Sequence, residues 1–179
     1  NITAMLLDKK GIIWFAHKNG SLTIYDGKIF KEIKSDFLPK EAEIFSFSFD
    51  KNDGLWLSTA KYGAILIVNP YGDFEDKNNF KIYTSKAGLS EYCYSSFQDK
   101  NGNIWFLSDV GIKILNSKTA QIDFLRVNGI PVTMPTSIFY DKAGMIWIGF
   151  LNGNISRYNP DTNEIINYSE SDGLPEIKN

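Results

Sequence analysis

Cysteine is nearly missing from this 179-residue chain: Cys93 stands alone, so no internal disulfide can form and stability has to come from packing. Histidine is as scarce. With only His17 present, a multi-histidine metal site is excluded, and any Ser-His-Asp triad would have to be built on that one ring. A basic surplus is lacking too: 19 Lys and Arg stand against 21 Asp and Glu, the formal charge is −2 and the pI is near 5.4. A nucleic-acid partner therefore has no electrostatic footprint here. No apolar run approaches the ~20 residues of a membrane-spanning helix, so direct membrane insertion is not expected. The signatures G-x-S-x-G, H-E-x-x-H, C-x-x-C and G-K-[ST] are all absent, which leaves no catalytic residue, no metal and no cofactor implied by motif.

What is present is 43 % hydrophobic and 15 % aromatic sequence that says one thing four times. Trp14, Trp56, Trp105 and Trp147 recur at spacings of 42, 49 and 42. Upstream of each stand an aspartate and then a glycine: Asp8 and Gly11, Asp50 and Gly54, Asp99 and Gly102, Asp141 and Gly144. Downstream, Gly20, Gly63, Gly111 and Gly153 each open an apolar stretch that ends in Tyr25-Asp26, Val68-Asn69, Leu115-Asn116 or Tyr158-Asn159. Another β-type stretch follows ("KIFKEI", "NFKIYT", "QIDFLRV", "EIINYS"), then Phe37-Leu38-Pro39, Gly88-Leu89-Ser90, Gly129-Ile130-Pro131 or Gly173-Leu174-Pro175.

Each unit thus holds four short β-rich segments separated by Gly, Asn, Asp and Pro turns, with no 3.6-residue periodicity long enough to compete. The fold class expected is all-β: a β-propeller segment of about four blades, each a four-stranded antiparallel meander. The repeats fall at about 1–38, 39–89, 90–130 and 131–175, with 176–179 starting a further one. That register makes the chain an expected portion of a larger propeller, with a closed four-bladed ring as the alternative. In "D-x-x-G-x-[IL]-W" the aspartate is expected to accept backbone N–H bonds in a hairpin turn while Gly11, Gly54, Gly102 and Gly144 supply positive φ. The Trp strands are apolar at consecutive positions, as a strand buried on both faces would be. The four indoles would then form a layer of packing between blades.

Blade four carries the pattern most fully, through Asp141, Gly144, Ile146, Trp147, Gly149, Gly153, Tyr158, Asn159, Pro160, Tyr168, Asp172, Gly173, Leu174 and Pro175. This sequence resembles the two-component regulator propeller repeat family. Blades one to three match more loosely: blade one lacks the Pro after Tyr25-Asp26, and blade three has Leu115 where the Tyr stands. The resemblance implies a periplasmic sensor region, with neighbouring propeller blades in the same chain, a homodimer in the full-length protein and a histidine kinase beyond a membrane helix. It also implies an oligosaccharide ligand.

A propeller usually binds on the face carrying the loops between second and third strands and the connections between blades. Those loops hold His17, Lys18 and Asn19, then Lys61 and Tyr62, Asp109, Leu151 and Asn152, and the linkers around Glu41, Tyr92, Glu176 and Lys178. Aromatic faces stack on sugar rings and Asn or Lys takes their hydroxyls, so Tyr62, Tyr92, Asn152, Lys61 and His17 are the candidate ligand-binding residues. His17 otherwise reads as a solvated loop residue, and Cys93 as a small buried thiol near the start of an inner strand. "DKNDG" at 50–54 lacks the spaced ligands of a calcium loop and reads as a hairpin turn. Two further functions stay open. A polysaccharide hydrolase or lyase would need two converging carboxylates, for which Glu41, Asp109 and Asp172 are the acids on the proposed face. A protein-binding scaffold of the WD type would need Gly-His and Trp-Asp signatures, which are absent from their blade positions.

Overall fold

Every repeat starts from a turn that its aspartate builds. In the computed structural model, which describes residues 1–175, Asp8 accepts the N–H groups of Lys10 (2.8 Å) and Ile12 (2.9 Å) on one carboxylate oxygen and the indole Nε1–H of Trp14 (3.0 Å) on the other. Asp50, Asp99 and Asp141 hold Trp56, Trp105 and Trp147 in the same way, at 3.0, 2.9 and 2.8 Å. The six-residue spacing from Asp to Trp is therefore a hydrogen-bonded unit that fixes the turn and the indole together. Gly11, Gly102 and Gly144 have φ of 81°, 85° and 82°, as the turn requires. Gly54 does not. Blade two's glycine stands one residue later, so Asp53 takes the left-handed position at φ 65°, which a short polar side chain tolerates. Gly54 is needed for space, because a Cβ there would lie 2.7 Å from Asp50 Oδ2 and 2.8 Å from Leu66 Cδ1.

Four antiparallel sheets follow, each in chain order. Blade one is β1 (Ile2–Leu7), β2 (Ile13–His17), β3 (Leu22–Tyr25) and β4 (Phe30–Ile33). Blade two is β5 (Ile44–Phe49), β6 (Leu55–Thr59), β7 (Ala64–Ile67) and β8 (Phe80–Tyr83). Blade three is β9 (Cys93–Gln98), β10 (Ile104–Ser108), β11 (Gly111–Leu115) and β12 (Ile122–Phe124). A two-stranded hairpin, β13 (Arg126–Val127) and β14 (Ile130–Pro131), intervenes. Blade four is β15 (Pro135–Tyr140), β16 (Ile146–Phe150), β17 (Ile155–Asn159) and β18 (Glu164–Tyr168). The first strands β1, β5 and β9 run side by side, so they are the innermost.

The hairpin corrects the reading of blade three. "QIDFLRV" is not one strand, and Gly129-Ile130-Pro131 is not a blade-ending stop. Asn128 and Gly129 both take positive φ, 51° and 79°, the requirement of a type I′ turn, and the chain folds back on itself there. Gly88 and Gly173, by contrast, do end short 3₁₀ turns in the left-handed conformation.

Three apolar clusters bind the blades in sequence. Trp14, Ala16 and Leu22 of blade one meet Leu55, Leu57, Ile65 and Ile67 of blade two. Trp56 meets Ile104 and Phe106, and Trp105 meets Ile146, Ile148 and Tyr158. Each joint thus sets the Trp face of one blade on the residues flanking Trp in the next. Strands β6 and β10 are buried at every residue, as consecutive apolar positions imply. In β2 and β17 burial alternates, because one face of blade one and one face of blade four are bare. Trp147 accordingly lies half-buried on blade four's outer face, stacked on Tyr168. No apolar cluster joins blade four back to blade one among the described residues, and the outer faces of these two blades stay bare. Glu176, Lys178 and the register of 176–179 lie outside the described residues.

Candidate functional site

The loop-bearing face is assembled by backbone contacts between the second-to-third-strand hairpins of blades one to three and the linkers that join these blades. Glu41 N–H bonds Asn19 O (3.1 Å), Gly63 N–H bonds Glu91 O (2.8 Å), and Asp109 N–H bonds Tyr92 O (3.4 Å). Glycine is required at Gly63, where φ is 64° and a Cβ would overlap the carbonyl oxygens of Tyr83 and Ser90. Gly20 and Gly111, the equivalent glycines of blades one and three, are likewise sites of close backbone approach.

These bonds bring Lys61, Tyr62, Tyr92 and Asp109 into one loop cluster over blades two and three. His17 is on blade one and Asn152 on blade four, outside it. Lys61 is exposed, with φ of 72°, a strained conformation for a lysine. Tyr92 is exposed and Tyr62 half-buried. His17 is not a loop residue: it is the last residue of β2, half-buried, with Nε2 2.9 Å from Thr23 Oγ1 across the bare face of blade one. It borders a polar hollow of about 410 Å³ with Asn1, Lys18, Asn19 and Ser21. The larger cavity, about 550 Å³, opens on the opposite side, where the blade-two loop carrying Tyr71 and Phe74 folds over Trp14, Lys31 and Lys34.

Sequence reasoning missed a second feature of this face. All four first strands carry a β-bulge one residue after the strand begins, leaving Thr3, Phe45, Tyr94 and Thr136 without a paired partner. Because β5 and β9 are neighbours, their bulges bring Phe45 and Tyr94 together, ring centroids 5.6 Å apart at 42°. The available signal was an aromatic in the second position of "IFSFSF" and "CYSSFQ", where period-2 alternation alone gives no warning of a bulge.

The ionisable groups are mostly structural. Burial pushes the Cys93 thiol up to about 12, consistent with an inert side chain at 0 % exposure. Tyr71, whose hydroxyl donates to Asp8 (2.9 Å), is likewise pushed to about 12 by burial and by that carboxylate. Lys113 has its pKa lowered by burial, donating to Gly88 O at 2.9 Å over the Phe124 ring. Asp109 accepts from Ser90 Oγ at 2.5 Å. Glu41, Asp109 and Asp172 belong to three different linkers or hairpins. Among the described residues no group of three or more His, Cys, Asp and Glu could hold a metal ion, and no helix is long and apolar enough to cross a membrane.

No family model matches the sequence, and no curated protein does. Solved structures do. The extracellular domain of BT4673 from B. thetaiotaomicron, described as a hybrid two component system, superposes with a TM-score of 0.77 at 22 % identity, covering 94 % of this chain and 24 % of that one. The corresponding domain of BT3049 gives 0.69 at 17 % identity over the same shares. Virginiamycin B lyase from Staphylococcus aureus gives 0.68 at 16 % identity, over 94 % of this chain and 55 % of that one. This chain is an arc of a β-propeller. At these identities the likeness carries the fold alone, and the arc spans only about a quarter of the length of the two extracellular domains it matches. The arc's own residues must carry the rest.

Proposed function

We propose that this arc is part of an extracytoplasmic, periplasmic sensor propeller of a two-component signalling protein, which recognises an oligosaccharide and relays occupancy to a histidine kinase. The supporting observation is the likeness, over 94 % of the arc, to the extracellular domains of two separate B. thetaiotaomicron systems. Two bare apolar blade faces fit a place within a larger ring. The relay requires a ligand that prefers one of two arrangements of the sensor dimer, since binding both equally shifts nothing. The test is kinase autophosphorylation by the membrane-embedded polypeptide that carries this arc, measured with and without oligosaccharide pools from plant, host and microbial glycans. A response to at least one pool is the expected result; indifference to all of them sinks the reading.

An enzyme acting on polysaccharide is the second reading, favoured by the fold shared with virginiamycin B lyase. It requires a converging acid–base pair, and the only histidine is held by Thr23. Release of unsaturated or reducing ends from the same pools would establish it.

A further inference from the structure

Phe45 and Tyr94 occupy equivalent bulge positions at the loop end of adjacent innermost strands. The same position in the end blades is Thr3 and Thr136, whose hydroxyls donate to the carbonyls of Ala16 (3.4 Å) and Gly149 (3.2 Å) in their own sheets. The bulge is therefore satisfied by a threonine and does not call for an aromatic ring. Packing between blades does not account for the pair either: Tyr94 is 41 % exposed, and its hydroxyl has no hydrogen-bond partner among the described residues. A ring placed for packing would be buried; this one is displayed, with Tyr92 beside it in sequence and 38 % exposed. Bulges re-aim side chains in this manner next to binding sites.

Charge narrows what these rings would meet. The linkers and hairpins above the pair carry Asp36, Glu41, Glu43, Glu91 and Asp109 against Lys34, Lys40, Lys61 and Lys86. A face so close to charge balance offers no cationic patch to hold uronate or sulfate groups, whereas apolar pyranose faces stack on aromatic rings without needing one.

We infer that the Phe45–Tyr94 pair is a stacking subsite for a neutral pyranose unit, a reading that rests on the proposed oligosaccharide-sensing function. Tyr94 presents its ring face and its free hydroxyl to the sugar, while Phe45 backs it from the neighbouring blade.

The experiment is a glycan array spanning neutral hexose, pentose and amino-sugar oligomers together with polygalacturonate and heparin fragments, probed with the protein and with its F45A, Y94A and Y94F variants. Far-ultraviolet circular dichroism and thermal midpoints establish that each variant folds. Preferential capture of neutral oligosaccharides, weakened about tenfold in Y94A and retained largely in Y94F, is the expected result. Capture unchanged in both F45A and Y94A overturns the subsite while leaving oligosaccharide sensing intact, as does preference for the acidic fragments. Capture of no glycan by the unaltered protein overturns the sensing function and the subsite with it. If Y94A fails to fold, Y94F and F45A carry the test: loss in F45A with a folded circular dichroism signature supports the pair, and full capture refutes it.

Discussion

Replacing Asp8 with alanine removes the acceptor for four donors at once: the N–H groups of Lys10 and Ile12, the Trp14 indole and the Tyr71 hydroxyl, all between 2.8 and 3.0 Å. Hydrogen bonds to a charged group contribute ~1.5–3 kcal/mol each, and a donor left buried and unpaired costs ~1–3 kcal/mol. Water can reach the turn N–H of exposed Lys10 but not the indole of Trp14, which is 1 % exposed. The net loss should be roughly 3–5 kcal/mol, a large part of the ~5–15 kcal/mol that holds a typical domain. Asp8→Asn keeps one oxygen but sets an amide N–H₂ against the indole N–H, for about 1–3 kcal/mol, and Tyr71→Phe should cost about 1–2 kcal/mol. The sign of the pH dependence follows from the same contacts. Burial pushes the Asp8 carboxyl up, yet the Trp14 indole, the Ile12 N–H, the Tyr71 hydroxyl and the Lys10 N–H together hold it below its ordinary value of 3.8. A carboxyl depressed in the folded state contributes stability above its unfolded value and loses it as pH falls through the folded one. The native protein should therefore lose stability below about pH 4, and the alanine variant should lose less across that window. Urea unfolding followed by tryptophan fluorescence at stepped pH measures both effects. A loss under about 1 kcal/mol for Asp8→Ala, or an unchanged pH slope, would refute the reasoning.

Gly63→Ala should cost at least about 3 kcal/mol, since it adds backbone overlap to left-handed strain, whereas Gly11→Ala, open around its Cβ, should cost only about 1–2 kcal/mol. Equal losses in parallel thermal melts would contradict the close-approach account. Ser46 Oγ is buried with no hydrogen-bond partner, so Ser46→Ala should be neutral or stabilising by up to about 1 kcal/mol in urea titration.

How much of this was legible beforehand depended on whether the signal was local. Strand number, strand order and the role of the Asp turns came from period and turn chemistry, because a hairpin is specified by the residues inside it. The indole acceptor went unread although Asp and Trp stand at constant spacing: seeing the bond requires knowing that the two side chains share a face. Gly54 misled because the repeat is marked by its glycine, while the backbone puts the left-handed residue at a fixed distance from Asp, which in blade two is Asp53. The blade-three hairpin was hidden because Gly129-Ile130-Pro131 reads as punctuation between blades, while Asn128 and Gly129 form its turn. His17 misled because the loop was drawn one residue too early. The bulge pair Phe45–Tyr94 is an encounter of two blades, 49 residues apart in sequence, and no local pattern encodes it.

The bare faces make the last expectation. Internal joints never pair like with like: the Trp face of one blade always meets the Trp-flanking face of the next. Blade one leaves a Trp-flanking face open, with Met5, Leu7 and Phe30 at 65, 65 and 69 % exposure, and blade four leaves a Trp face open, with Phe139 at 64 % and Ile166 at 46 %. Two different faces that fit each other predict head-to-tail association of the arc at high micromolar concentration, a heterologous contact rather than an isologous one. Sedimentation velocity on Leu7→Glu and Phe139→Glu variants separates the two. In a head-to-tail contact each variant alone stays monomeric, because one half of every joint is spoiled. Mixing them restores one joint and stops at a heterodimer, since Phe139→Glu still offers blade one and Leu7→Glu still offers blade four. If like faces paired instead, each variant alone would dimerise through its intact end and mixing would add nothing. That second outcome would break the rule of unlike faces on which the placement of this arc within a larger ring depends.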